Sequence, residues 1–211
     1  MNKPANAVAT IDLARRALSD PASAGSVHQL LQREHRIAPT LRDRLSRASW
    51  RALQRGLPGF EPDDIDSIAH ACARVIERHA AATALLAAGL GRAAEWPFLD
   101  MGRRLERASI LLQATQAIFP GKASADDLSA LLDLTDCQSL YRSRYLSMPF
   151  IPRVLDMVLL EPGQPRSLAF HLRAVEQHLS ALPSALTDST PEAPLAAARD
   201  LCGRIGTLDR S

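Results

Sequence analysis

The chain has 211 residues, 46% hydrophobic but only 4% aromatic, so its core must be built from Ala, Leu, Ile and Val, a composition suited to close-packed helices. A formal net charge of +2, with arginines interleaved among acids, gives no basic strip and argues against a nucleic-acid partner. Cys72, Cys137 and Cys202 are odd in number and lack Cys-x-x-Cys spacing, which implies neither a disulfide framework nor a zinc site and fits a reducing compartment.

Taken in order, Met1 to Gly25 reads as a helical N-terminal extension ahead of a single domain over 26–211. It has no continuous apolar stretch before Asp12, Arg15 and Arg16, unlike a secretory signal. Gln29 to Gln54 is helical by composition, with a break expected near Ala38 because Pro39 removes a hydrogen bond and clashes with the preceding turn. In Leu41-Arg42-Asp43-Arg44-Leu45-Ser46, Arg42 and Arg44 read as solvated and the following Trp50 as a core anchor.

After Gly56-Leu57-Pro58-Gly59, a helix over 62–90 is predicted from Pro62-Asp63-Asp64, with Ile65, Ile68, Cys72, Val75, His79, Ala82 and Leu86 as its apolar stripe. Its Ala-rich run, Ala80 to Leu90, falls far short of the roughly 20 residues that span a bilayer, so no membrane partner and a cytoplasmic location are expected. Helices over 97–118 and 124–147 follow, the second opened by Ser124 and Asp127 as a capping box. Gln164-Pro165-Arg166-Ser167 opens another, with Pro165 at its first position. Pro183 to Pro194 reads as a loop before a short final helix. No strand-like alternation occurs, so the expected fold is an all-α, multi-helix bundle centred on the helices at 62–90, 97–118 and 124–147.

Charge enters this pattern most conspicuously at Trp96-Pro97-Phe98-Leu99-Asp100-Met101-Gly102-Arg103-Arg104-Leu105-Glu106-Arg107-Ala108. Phe98, Met101, Leu105, Ala108 and Leu112 form a candidate buried stripe, with Glu106 at its edge. An unpaired carboxylate there is costly, so Glu106 is expected to be buried and bonded to arginine, with Asp100 reaching Arg103 or Arg104 in the same charged ladder. Its replacement by Ala should then cost about 3–5 kcal/mol.

Three clusters could build one polar site: Arg103, Glu106 and Arg107; Tyr141, Arg142 and Tyr145; and Arg166 at a helix start. Tyr141 and Tyr145 are four apart and share a face. An arginine fork with a phenol suits a carboxylate or phosphate ligand. The same pairs and tyrosines also serve to fix helix register, so a structural role is weighed against binding for each. His28 and His35, like His171 and His178, are seven apart, but no Glu-x-x-His occurs, and neither a metal nor a cofactor is expected. His-Glu-x-x-His, Gly-x-Ser-x-Gly and phosphate-loop motifs are absent.

The segment 96–108, Tyr141-Arg142-Ser143-Arg144-Tyr145, and Leu155-Asp156-Met157-Val158-Leu159-Leu160-Glu161-Pro162-Gly163-Gln164-Pro165-Arg166-Ser167-Leu168 resemble successive landmarks of the bacterial alpha-E domain. Arg33-Glu34-His35 and 41–46 with Trp50 match in order, so the resemblance runs from about residue 26 to the C-terminus. It implies an all-helical protein associated with a circularly permuted ATP-grasp protein and a transglutaminase-like protease, in systems that look like peptide or amide-bond synthesis and processing. The chain departs from the family pattern in lacking a Glu-Arg pair within Met1 to Gly25, where a first repeat is expected, and at His35, Gln164 and Pro39, the first two standing where Asn is usual.

The leading functional reading is an accessory or binding subunit of such a system, with Arg103, Glu106, Arg107, Tyr141, Arg142, Tyr145 and Arg166 lining a cleft for an anionic peptide end or docking the ligase. One alternative is an enzyme using Glu106 as general acid or base, with Tyr141 or Tyr145 as proton donor. Another is a helical scaffold whose charges are structural. Convergence of the three clusters in one cleft separates the first two from the third.

Overall fold

The computed structural model describes residues 3–55, 64–91, 95–119, 123–182 and 192–208, and every regular element among them is helical. The chain folds as two compact units, Met1–Leu90 and Gly91–Ser211.

The first unit holds α1 (Lys3–Ser19), α2 (Val27–Ile37), a 3-10 helix (Ala38–Arg44), α3 (Arg47–Gln54) and α4 (Ile65–Gly89). Polar side chains set the helix starts. Ser26, Ser46 and Asp64 each accept a backbone N–H three residues on, and Asp64 with Ser67 forms a reciprocal capping box. The chain breaks at Ala38, where Pro39 forces the tighter 3-10 winding. The α3 and α4 helices approach closely: buried Ser49 donates to the Leu85 carbonyl at 3.2 Å, and a Cβ on Gly89 would stand 3.4 Å from the Ser49 hydroxyl. Of the predicted α4 stripe, Ala82 is buried and Ile68, Cys72, Val75 and Leu86 are half-buried, while Ile65 and His79 are exposed. The expected start at residue 62 lies outside the described residues. Trp50 is half-buried with the Arg42 guanidinium over its ring at 5.1 Å, whereas Arg44 is exposed.

The second unit holds α5 (Trp96–Ile118), α6 (Ala125–Leu134), α7 (Gln138–Tyr145), α8 (Ile151–Leu155) running into a π-turn (Asp156–Leu160), α9 (Leu168–Ala181) and α10 (Glu192–Leu208). Its core joins Ala108 and Leu111 of α5, Leu128, Leu131 and Leu132 of α6, Tyr141, Val154, Met157, Val158, and Leu168 and Leu172 of α9. The wider π winding, closed by a bond from Glu161 N–H to the Asp156 carbonyl, keeps Val154, Met157 and Val158 fully buried together.

The final helix is not short and takes in the end of the expected loop, since α10 begins at Glu192 with Pro194 in its first turn and runs for 17 residues; three other elements also differ from the sequence expectation. The 124–147 stretch is two helices, not one. The Thr135 hydroxyl bonds back to the Leu131 and Leu132 carbonyls, Asp136 takes a left-handed φ of 53°, and Cys137 N–H reaches the Leu132 carbonyl while Asp136 N–H reaches that of Asp133. That pair of bonds is a Schellman stop, with Asp in the place usually given to Gly. Second, α9 starts after Ser167, whose buried hydroxyl accepts from Phe170 N–H and donates to the Glu161 carbonyl, so Pro165 precedes the helix.

Third, α5 buries a different face from the expected one. Its buried residues are Pro97, Asp100, Met101, Ala108 and Leu111, whereas Phe98, Leu105 and Leu112 are 50%, 49% and 40% exposed. The inward face is thus rotated by about one residue from the predicted stripe and carries Asp100 with it.

Candidate functional site

Antiparallel packing of α5 on α9 builds a polar seam in steps of one or two helical turns. Asp100 faces His178, Arg104 faces His171, and Arg107 comes beside Arg166 just ahead of α9. Asp100 is 6% exposed, and its Oδ2 accepts from His178 Nε2 at 2.9 Å and from Arg104 Nε at 3.3 Å, with Arg103 3.9 Å from Oδ1. Burial alone pushes the Asp100 carboxyl up, but the His178 hydrogen bond and the Arg104 and Arg103 charges together hold it below the ordinary carboxylate value. It is therefore ionised at neutral pH, and the His178 nitrogen facing it carries the proton.

Arg104 lies over the Phe170 ring at 4.9 Å and reaches His171 Nδ1 at 3.5 Å. Because a guanidinium only donates, Nδ1 accepts and the proton of the neutral ring sits on Nε2. Burial, followed by Arg104 and Arg107, pushes the His171 pKa down to about 4. His171 is 2% exposed, and among the described residues Nε2 has no hydrogen-bond partner.

His171 also lines a pocket of about 220 Å³. Arg107 and Arg166 supply its cations, Ile110, Leu111 and Leu134 its apolar wall, and Thr135 completes it. Arg166 pairs with Asp136 at 3.0 Å, the residue that the left-handed stop of α6 presents. Arg107 is exposed at the pocket and forms no ion pair among the described residues; partial desolvation, then Arg103, Arg166 and Arg104, lowers its pKa from the usual guanidinium value. Four guanidiniums, at 103, 104, 107 and 166, thus gather around two carboxylates, Asp100 and Asp136. Such an arrangement accepts an anion by adding the missing negative charge.

Of the residues singled out in the sequence, Arg107 and Arg166 line this pocket, and Arg103 lies one step away, between Asp100 and the Trp96 ring. Glu106 does not enter it. Contrary to expectation it is exposed and makes no ion pair among the described residues, because the rotation of α5 turns Asp100 inward and Glu106 out.

The two tyrosines lie outside the pocket lining. Tyr141 is fully buried, donating to the Met148 carbonyl at 3.3 Å and accepting from Phe150 N–H at 3.0 Å. Tyr145 packs against it at 4.8 Å under the Arg153 guanidinium, and Arg142 is exposed. The sequence expectation that Asp100 reaches Arg103 or Arg104 holds, but it gave Asp100 no partner on another helix and named neither it nor His171 and His178 among the site residues. The signal was present in the spacing: 100, 104, 107 and 111 share one helix face, and 171 and 178 share another.

Sequence reasoning also passed over a second Glu-Arg dipeptide, Glu77-Arg78, in the first unit. There Arg78 forms two bonds to Glu34, at 2.7 and 3.2 Å, and donates to the Leu53 and Arg55 carbonyls at 3.0 and 2.7 Å. In both Glu-Arg pairs the glutamate is exposed. The three cysteines are free, no group of three or more possible metal ligands occurs among the described residues, and no helix there is long and apolar enough to cross a membrane.

Comparison with known proteins places the chain in a family. The chain is 29% identical over 187 residues to the uncharacterized protein Rv2567 of Mycobacterium tuberculosis (strain ATCC 25618 / H37Rv), covering 82% of this chain and 21% of that protein. It is equally similar, over the same shares, to the uncharacterized protein Mb2597 of Mycobacterium bovis. The chain thus spans about a fifth of the length of these relatives. No solved structure matches it. The model of the Alpha-E family, a predicted alpha-helical domain with a conserved ER motif, matches residues 2–210, α1 included, and the chain belongs to that family.

Proposed function

We propose that the chain is a binding component that holds an anionic group, the carboxylate end of a peptide, in the pocket between Arg107, Arg166 and His171. The observation that carries this reading is Arg107, a guanidinium facing a concave surface with three other arginines around it and no carboxylate of its own. Asp100 holds Arg104 and His178 in place, and neutral His171 keeps an Nε2–H available as a donor that bears no charge. The site can therefore bind and orient an anion. Glu106, exposed and absent from the pocket wall, offers no general base there.

In this reading the subunit presents a carboxylate to a circularly permuted ATP-grasp protein, a class of ligase that consumes carboxylates, in a peptide or amide-bond modification system with a transglutaminase-like protein. Affinity purification from the native organism with mass spectrometry tests the partners, and recovery of neither would reject them. Calorimetric titration of a peptide against its C-terminally amidated twin tests the site. The free acid should bind at least tenfold tighter, and Arg107→Gln should abolish the difference.

A further inference from the structure

Two large aliphatic side chains of the pocket lining lack a covering. Ile110 and Leu134 are 51% and 53% exposed and share the pocket lining with Arg107, Arg166 and buried Leu111. A ligand that was only an anion would satisfy Arg107 and Arg166 and leave these two aliphatic residues in water. A wholly apolar ligand would bury Arg107 without a partner, which costs more than it gains.

The volume is a second constraint. At about 220 Å³ the space is below the roughly 300–1,000 Å³ usual for sites that engulf a drug-sized ligand or cofactor, and it suits a single amino-acid residue.

We infer that the pocket takes a carboxylate carried on a branched aliphatic residue, a C-terminal Leu, Ile or Val, with the carboxylate on Arg107 and Arg166 and the side chain over Ile110 and Leu134. This rests on the anion-binding reading and adds the specificity that the apolar wall supplies. The His171 Nε2–H donates to the same carboxylate or to the amide carbonyl next to it. Covering one leucine side chain is worth roughly tenfold to a hundredfold in affinity, so the apolar wall rather than the charge sets selectivity among acids.

Calorimetric titration of the full chain with N-acetyl-L-leucine, N-acetylglycine, N-acetyl-L-leucinamide and inorganic phosphate tests the assignment, repeated with Leu134→Ser. Leu134 ends α6 half in solvent, so this change leaves the core intact. N-acetyl-L-leucine should bind at least tenfold tighter than N-acetylglycine, and Leu134→Ser should shrink that ratio several-fold with little effect on the glycine acid. Equal affinities for the two acids would overturn the aliphatic specificity and leave the anion site standing. Equal binding of N-acetyl-L-leucine and its amide, or no binding of any probe, would overturn both. Phosphate binding more tightly than either acid would overturn the carboxylate assignment.

Discussion

At the scale of single residues, the decisive contrast is between Asp100 and Glu106, six positions apart on one helix. Asp100 is buried and bonded to two cationic or polar partners, so Asp100→Ala strands Arg104 in a poorly hydrated seam and should cost about 3 kcal/mol in urea unfolding. Glu106→Ala touches nothing buried and should lie within about 0.5 kcal/mol of the parent. His171 adds a pH dependence of definite sign. Its folded pKa of about 4 lies below the unfolded value near 6.5, so below pH 6.5 the unfolded chain binds a proton that the native state refuses. Stability should fall by about 3 kcal/mol as pH drops from 6.5 to 4, and His171→Gln should flatten that slope. Asp100, held below its ordinary value, contributes stability that is present above the unfolded carboxylate pKa and is lost only as pH falls through the lower folded one. Unfolding midpoints at pH 7 and 4.5 for parent and His171→Gln separate the two groups.

At the scale of elements, the sequence located the helices but not the rotation of the most important one. Pro39 marked the end of α2, and the Ser124-Asp127 box marked the start of α6, because those signals act through the local backbone. The face of α5 was misread because large apolar residues occur on both sides of it. Phe98, Leu105 and Leu112 make as regular a stripe as Pro97, Met101, Ala108 and Leu111, and only the pairing of Asp100 with α9 selects the second. No feature of α5 alone announces partners as distant along the chain as His171 and His178. The break at 135–137 was likewise hidden, since Asp rather than Gly occupies the left-handed position. Tyr141 follows the same lesson: its hydroxyl serves the backbone of the α7–α8 connection. Tyr141→Phe should lower stability by about 1–2 kcal/mol and leave affinity for a carboxylate peptide unchanged, as thermal melts and calorimetry would record.

At the scale of the molecule, the helical class was legible from composition and from the absence of alternation, and the family from its ordered landmarks, which the match over residues 2–210 extends through α1. Less of the candidate site was legible, since of the seven residues singled out in the sequence two line the pocket. Those two are Arg107 and Arg166, while the pairing of Asp100 with His178 and of Arg104 with His171 emerges only from the packing of α5 on α9. In the first unit, Arg78 binds Glu34 and two carbonyls at the end of α3, so the two Glu-Arg pairs contribute an arginine to quite different tasks. Arg78 is the structural one, and Arg78→Met should cost about 3 kcal/mol because it leaves Glu34 and both carbonyls without their donor. Arg107, without an ion-pair partner, is the one expected to trade binding and not stability. The most direct measurement is therefore the affinity of a peptide with a free C-terminal carboxylate for parent and Arg107→Gln, alongside their urea unfolding. At least a tenfold loss of affinity is expected, with stability unchanged or slightly raised; unchanged affinity, or a loss of stability in its place, would contradict a binding role for Arg107.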